Sequence, residues 1–255
     1  MHKIDLNSDL GESFGAYTLG MDEGLMEYIT SANVACGWHA GDPLVMQKTI
    51  RAAARNGVAV GAHPGYPDLM GFGRREIKVT PEEAYAYVLY QLGALEVFAR
   101  AENVRIQHIK PHGALYNQAC KEEKLAMSIC RAAQAFDPSL IVLAPFNSTF
   151  RTAAEKIAQP FAGEFFADRA YMPDGSLVPR SQPGAVIHDA DEACRRVLQM
   201  ARKGTVTCVD GTELSMRCVS VCVHGDNAEA LEAVKKIRMS LEADGVLLCP
   251  MKELI

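Results

Sequence analysis

Seven apolar runs recur along this chain, and each ends in ionisable or amide side chains. Residues 4–12 (IDLNSDLGE) run into Asn7, Asp9 and Glu12, residues 32–42 (ANVACGWHAGD) into His39 and Asp42, and residues 58–68 (VAVGAHPGYPD) into His63. Residues 104–117 deliver Lys110, His112 and Asn117, and residues 140–148 deliver Asn147. Residues 161–171 deliver Glu164, Asp168, Arg169 and Tyr171, and residues 219–227 deliver His224, Asp226 and Asn227. Strands that are buried on both faces and stop repeatedly at polar groups predict a parallel barrel with an active site at one mouth.

The segments between these runs read as helices. Pro43–Asn56 has helical spacing and stops before Gly57, with Asp42 placed to cap its start. Thr80–Glu102 opens with TPEE: Thr80 suits the cap, Pro81 the first turn, and Glu83 the reciprocal position of a capping box. Glu122–Phe136, Ser148–Ala158, Asp191–Lys203 and Asn227–Ala243 continue the alternation, which implies right-handed crossovers between parallel strands. Residues 64–79 and 170–190 are long Gly- and Pro-rich loops of the kind that bind or cover ligands, and residues 205–216 suggest a hairpin about Asp210-Gly211. Seven strands rather than eight predict an incomplete or distorted seven-stranded β/α barrel. Uniform composition and a length of 255 residues place it in one domain, 1–255.

Bulk properties exclude several functions. The net charge of −5 and the absence of any Lys/Arg run argue against nucleic acid. No apolar stretch approaches the ~20 residues that span a bilayer, and the first residues carry no signal-peptide core. Of the 8 cysteines, Cys36, Cys208, Cys218 and Cys222 lie in apolar strand-like runs and Cys130 and Cys194 in helix-like ones, without a C-x-x-C pair, as reduced thiols of a cytoplasmic protein do. No phosphate-cradling glycine motif is present.

The polar run ends are the candidate site. Asn7, Asp9 and Glu12 cluster at one strand end; His39, beside the only Trp of the chain, and His63 end the next two. Lys110 at the end of a buried strand needs a partner or a chemical role. It can stabilise an oxyanion or pair with a carboxylate such as Glu164, while His112 can move protons. Asn117 is placed to orient a substrate. Arg169 is a natural fork for a substrate carboxylate, with Arg74 and Arg75 as rivals, although Asp168 can equally occupy it. His224 and Asp226 close the ring, and Asp226 suits a helix cap as well as a ligand. Asp9, His39 and His63 make a plausible divalent-metal set; the same residues suit metal-free acid/base hydrolysis of an amide.

Taken together, DLNSDLGESFG, SANVACGWHAGDP, GAHPGYPD with FGRR, IKPHGALYN, EFFADRAY, LVPRSQPGAVI and VCVHGDN resemble, in order and from residue 5 to about residue 250, the LamB/YcsF family of 5-oxoprolinase A subunits. That resemblance implies a distorted seven-stranded barrel like that of glycoside hydrolases and carbohydrate deacetylases. It implies a reaction in which 5-oxo-L-proline, ATP and water give L-glutamate, ADP and phosphate, with B and C subunits as partners. ATP is then a co-substrate, and the partners use it to phosphorylate the lactam. Asp9 or His39 aims water, Lys110 and His112 manage charge and proton, and Arg169 holds the carboxylate. Two rival expectations stand beside it: a stand-alone metal-dependent amidase or deacetylase, and a non-catalytic subunit.

Overall fold

The computed structural model describes residues 2–179, 181–225 and 227–255. Ten strands appear in chain order: β1 (Lys3–Leu10), β2 (Ser31–Ala35), β3 (Ala59–His63), β4 (Ile106–Ile109), β5 (Ile141–Pro145), β6 (Phe161–Phe166), β7 (Thr205–Thr207), β8 (Glu213–Ser215), β9 (Ser220–Cys222) and β10 (Leu247–Leu248). Seven of them pair in parallel in the order β1-β2-β3-β4-β5-β6-β9. The ring is closed rather than incomplete, because Asp5, Leu6 and Asn7 of β1 pair with Ser220, Val221 and Cys222 of β9. β10 lies outside the ring against Lys3 and Ile4, and β7 and β8 form the expected antiparallel hairpin.

The helices are α1 (Asp22–Leu25), α2 (Pro43–Asn56), α3 (Pro81–Ala101), α4 (Gly113–Ala119), α5 (Glu123–Phe136), α6 (Thr149–Lys156), α7 (Ala190–Lys203) and α8 (Ala228–Ala243). Their boundaries follow the capping chemistry. Asp42 accepts from the amides of Leu44 and Val45, and Gly57 ends α2 in a left-handed conformation. The Thr80–Glu83 capping box is complete at α3. Two helices depart from the expectation: the single turn of α1, and α4, which precedes α5 because Ala114, Leu115, Tyr116 and Ala119 find burial at once after His112.

Side chains alternate across each barrel strand, and the register sorts them. Ile4, Leu6 and Leu10 of β1, Ala32 and Val34 of β2, Val60 and Ala62 of β3, and Ile109 of β4 join the main buried apolar cluster with the helices. Burying each large aliphatic contributes about 1.5–3 kcal/mol. The opposite parity faces the lumen, and there Asp5 pairs in register with Ser220, Asp9 with Asn33, Asn33 with Gly61, and Gly61 with His108. The lumen is two-sided. β1 to β4 and β9 line it with polar groups, and β6 adds Glu164, whereas Ile141 and Leu143 of β5 and Ala162 of β6 form an apolar wall with Met251 near the C-terminus. Gly61 belongs to this arrangement: a Cβ there would come within 2.1 Å of the His108 ring.

Candidate functional site at the barrel mouth

Three polar layers fill the lumen from floor to mouth. At the floor Asp5 is fully buried and accepts hydrogen bonds from Thr30 and Ser31 at 2.6 Å each and from Ser220. No cation pairs with it among the described residues, and burial pushes its carboxyl up to about 6, against the pull of those hydroxyls. His108 donates from Nε2 to Asn33 Oδ1 at 2.6 Å. Burial, then the Lys110 charge, push His108 down to about 3.

The middle layer is built around Lys110, which follows β4. Its ammonium is buried and sits 2.9 Å from Asp9 Oδ1, 2.8 Å from Glu164 Oε1, 3.3 Å from Asn7 Oδ1 and 3.2 Å from Cys222 Sγ. The Phe166 ring covers it at 5.4 Å. Burial alone would favour the neutral amine, but Asp9, Cys222 and Glu164 hold the pKa well above the usual lysine range. Burial likewise opposes an ionised Asp9, yet the His63 ring and Lys110 hold its carboxyl well below the usual range. Tyr116 donates to Glu164 Oε2 at 2.6 Å. The three ammonium hydrogens are thus already committed to protein acceptors, and the pairing with Glu164 foreseen from the sequence is present together with Asp9. An oxyanion at Lys110 would have to displace one of them.

At the mouth, residues from the ends of β1 to β4 converge. Glu12 Oε1 lies 3.3 Å from His39 Nε2, 3.5 Å from His112 Nδ1 and 4.0 Å from His63 Nε2. His63 Nε2 is also 3.4 Å from Asp9 Oδ2 and 3.0 Å from His112 Nδ1. The His39 and His112 rings stack with centroids 3.8 Å apart. Burial and neighbouring rings hold His39 well below its ordinary value, and burial with His39 pushes His112 to about 2. Burial and then the Asp9 charge raise Glu12. The 64–79 loop closes over this layer, and at Gly73 the chain is left-handed (φ 63) and so close that a Cβ would come 2.7 Å from His39.

Glu12, His39, His63 and His112 form a group able to hold a metal ion, with ligand atoms all within 4.8 Å of one another. Two of the three ligands expected from the sequence are members of it. His39 and His63 belong to it, but Asp9 is bound to Lys110, and Glu12 and His112 complete the group instead. Asp9, Cys222 and His224 make a second group of similar compactness. There the Lys110 ammonium already bridges Asp9 and Cys222.

Other expectations are placed differently. Arg169 donates to the carbonyls of Val178 at 2.6 Å and Ala185 at 3.3 Å, so it braces the 170–190 loop rather than presenting an empty fork. Arg75 is bound to Asp68, while Arg74, exposed over the Phe72 ring at 4.9 Å, is a cation at the rim among the described residues. His224 pairs with Asp168 at 2.9 Å; burial opposes its charge, but Cys222 and Asp168 raise it well above the ordinary imidazole value. Asn117 is exposed on α4, on the outside of the polar cluster rather than within it. Trp38 packs on Tyr87 and Tyr90 of α3 at 4.9 and 5.3 Å instead of bordering the mouth. Asp226 lies outside the described residues.

Sequence reasoning overlooked Asp5, Ser31, Asn33, His108, Tyr116, Ser220 and Cys222. For most of these the signal was present as alternation: Asp5-Asn7-Asp9, Ser31-Asn33, His108-Lys110 and Ser220-Cys222-His224 each share one parity. All 8 cysteines are free. Among the described residues no helix is long and apolar enough to cross a membrane.

Comparison with known proteins agrees with the site's motifs. The LamB/YcsF family model matches residues 4–255. The A subunit of 5-oxoprolinase from Pyrococcus horikoshii is 57% identical over 253 residues, 99% of each chain. Its counterpart from Alkaliphilus metalliredigens is 56% identical over 255 residues, 100% of each chain. The crystal structure of a lactam utilization protein from Thermus thermophilus superposes with a TM-score of 0.93 at 45% identity, covering 97% of this chain and 99% of the other. A T48 deacetylase, at 16% identity and TM-score 0.50, shares the fold alone. With a family match across nearly its whole length and relatives above half identity, this chain belongs to the LamB/YcsF family.

Proposed function

We propose that this chain opens the lactam ring of 5-oxo-L-proline as one component of an ATP-dependent 5-oxoprolinase, in which B and C subunits phosphorylate the lactam oxygen. Full-length relatives of that name at 56–57% identity support the reading. The observation that carries it within the chain is Asp9: a carboxylate kept ionised by Lys110, partly open to the mouth, and 3.4 Å from His63.

A five-membered lactam is a poor electrophile, and phosphorylation of its oxygen makes the ring carbon attackable. Asp9 takes a proton from water as the water oxygen bonds to that carbon. The C–N bond then breaks as the nitrogen takes the proton that Asp9 received, which leaves an open-chain acyl phosphate, and a second water hydrolyses that acyl phosphate to the side-chain carboxylate and free phosphate. Lys110 acts on Asp9 rather than on substrate, fixing its charge and position. Arg74 at the rim meets the substrate carboxylate, a role the sequence had favoured for Arg169. The chain has no phosphate-cradling motif of its own, in keeping with phosphorylation by the partners.

The test is reconstitution. The purified chain is mixed with its B and C subunits, 5-oxoproline and ATP, and glutamate is followed while components are left out singly. Glutamate forms only in the full mixture on this proposal. Glutamate from the chain alone without ATP would identify a stand-alone amidase. Full turnover by Asp9→Asn in an intact assembly would identify a non-catalytic subunit.

A further inference from the structure

We infer that Glu12, His39, His63 and His112 bind one divalent transition-metal ion of the zinc–cobalt–nickel class, independently of the reaction assigned above. Hydrogen positions decide which nitrogens are free to donate. His63 Nδ1 lies 2.6 Å from the Lys110 carbonyl, and His112 Nε2 lies 2.8 Å from the Phe72 carbonyl. A carbonyl only accepts, so each of these outer nitrogens carries the hydrogen and each inner nitrogen presents a lone pair. The inner nitrogens, His63 Nε2 and His112 Nδ1, face each other at 3.0 Å. Two lone pairs at that distance repel, and both point at Glu12, which brings negative charge. The arrangement calls for an electron-pair acceptor at its centre. Backbone carbonyls fixing the far nitrogens of metal-binding imidazoles are the usual outer support of such sites.

Distances favour a metal. Donors about 2.0–2.1 Å from a tetrahedral ion lie ~3.3 Å from one another. Four of the six distances among the Glu12, His39, His63 and His112 donors are 3.0, 3.3, 3.5 and 4.0 Å, and all six lie within 4.8 Å. A bridging proton would satisfy one nitrogen pair only; a metal satisfies all four donors once the stacked His39 and His112 rings, 5° from parallel, tilt so that their in-plane lone pairs converge. His39 Nδ1 is buried and unpartnered, so no hydrogen bond ties its tautomer, and its Nε2 can offer a lone pair. Three imidazoles and one carboxylate suit zinc, cobalt or nickel better than magnesium or calcium. Asp9 stands at the edge of the set: its Oδ1 is held by Lys110, and its Oδ2 lies 3.4 Å from His63 Nε2, whereas Glu12 Oε1 lies within 4.0 Å of all three imidazoles. The four ligands follow or end four consecutive strands, so the ion would pin the carboxyl ends of β1, β2, β3 and β4 together.

Cobalt titration of the chelator-treated full chain tests this. We expect one Co2+ per chain, visible absorption of four-coordinate Co2+, and its loss when Zn2+ is added. Saturating Zn2+ raises Tm, since it binds only the folded chain. Glu12→Gln and the His63→Gln/His112→Gln double variant, checked for folding by far-UV circular dichroism, lose affinity by at least ~100-fold. Asp9→Asn keeps one Co2+ per chain. Imidazole nitrogen resonances of His39, His63 and His112 shift on adding Zn2+, which reports ligation even where a variant folds poorly. Absence of stoichiometric Co2+ uptake, unchanged resonances, retained uptake in the double variant, or loss of uptake in Asp9→Asn would each overturn the assignment.

Discussion

Lys110 shows how one residue can serve two charge systems. Its ammonium is held by Asp9 and Glu164, while its carbonyl orients His63. Lys110→Met removes the ammonium and leaves two buried carboxylates facing each other. The expected cost is about 3–5 kcal/mol in chemical denaturation. Lys110→Met/Glu164→Gln recovers part of it, since one carboxylate charge is gone. Asp5 offers a cleaner pH experiment. Its folded pKa is raised to about 6 from 3.8, so its favourable contribution is complete below pH 3.8 and is lost as pH rises through about 6. Asp5→Asn removes that dependence. Relative to the parent, the variant therefore gains about 2 kcal/mol in stability between pH 4 and pH 7, read from denaturation at the two values.

At the scale of elements, α3 rests on local chemistry. Thr80→Ala removes the hydroxyl that caps Glu83 and is expected to cost about 1 kcal/mol without changing the mouth, as measured by Tm and by unaltered turnover. Such local signals explain what was legible in the sequence. The caps of α2 and α3, the hairpin and all seven barrel strands follow from neighbouring residues. α4 did not, because GALYNQA is shorter than the ~11-residue window in which helical periodicity can be read. The site was legible as a set of strand ends but not as a set of partners. That Glu12 and His112 join His39 and His63, while Asp9 turns to Lys110, depends on strand register and on the 64–79 loop. That Arg169 is taken by carbonyls depends on the path of the 170–190 loop. The lumen floor was hidden for another reason: IDLNSDL reads as an apolar run until its alternate members are separated.

For the whole molecule, acid acts through the lumen. His108 is pushed to about 3, so below the ordinary imidazole value of 6.5 the unfolded chain takes a proton that the folded chain refuses. Its contribution is complete above pH 6.5 and is lost progressively as pH falls toward 3. His108→Gln is expected to flatten the fall in Tm between pH 7 and pH 5, where the parent's Tm drops more steeply. The division of the lumen reaches further, into stereochemistry. A small ring with a carbonyl on one edge and methylenes on the other has one favourable way to lie between the polar strands β1 to β4 and Phe166 on β6. On the proposed reading, a ring held that way sends the carboxylate of one enantiomer toward Arg74 and that of the other away from it. Chirality would then be read without a dedicated chiral pocket. In the reconstituted complex the D-enantiomer of 5-oxoproline is expected to turn over at least ~10-fold more slowly than the L-form.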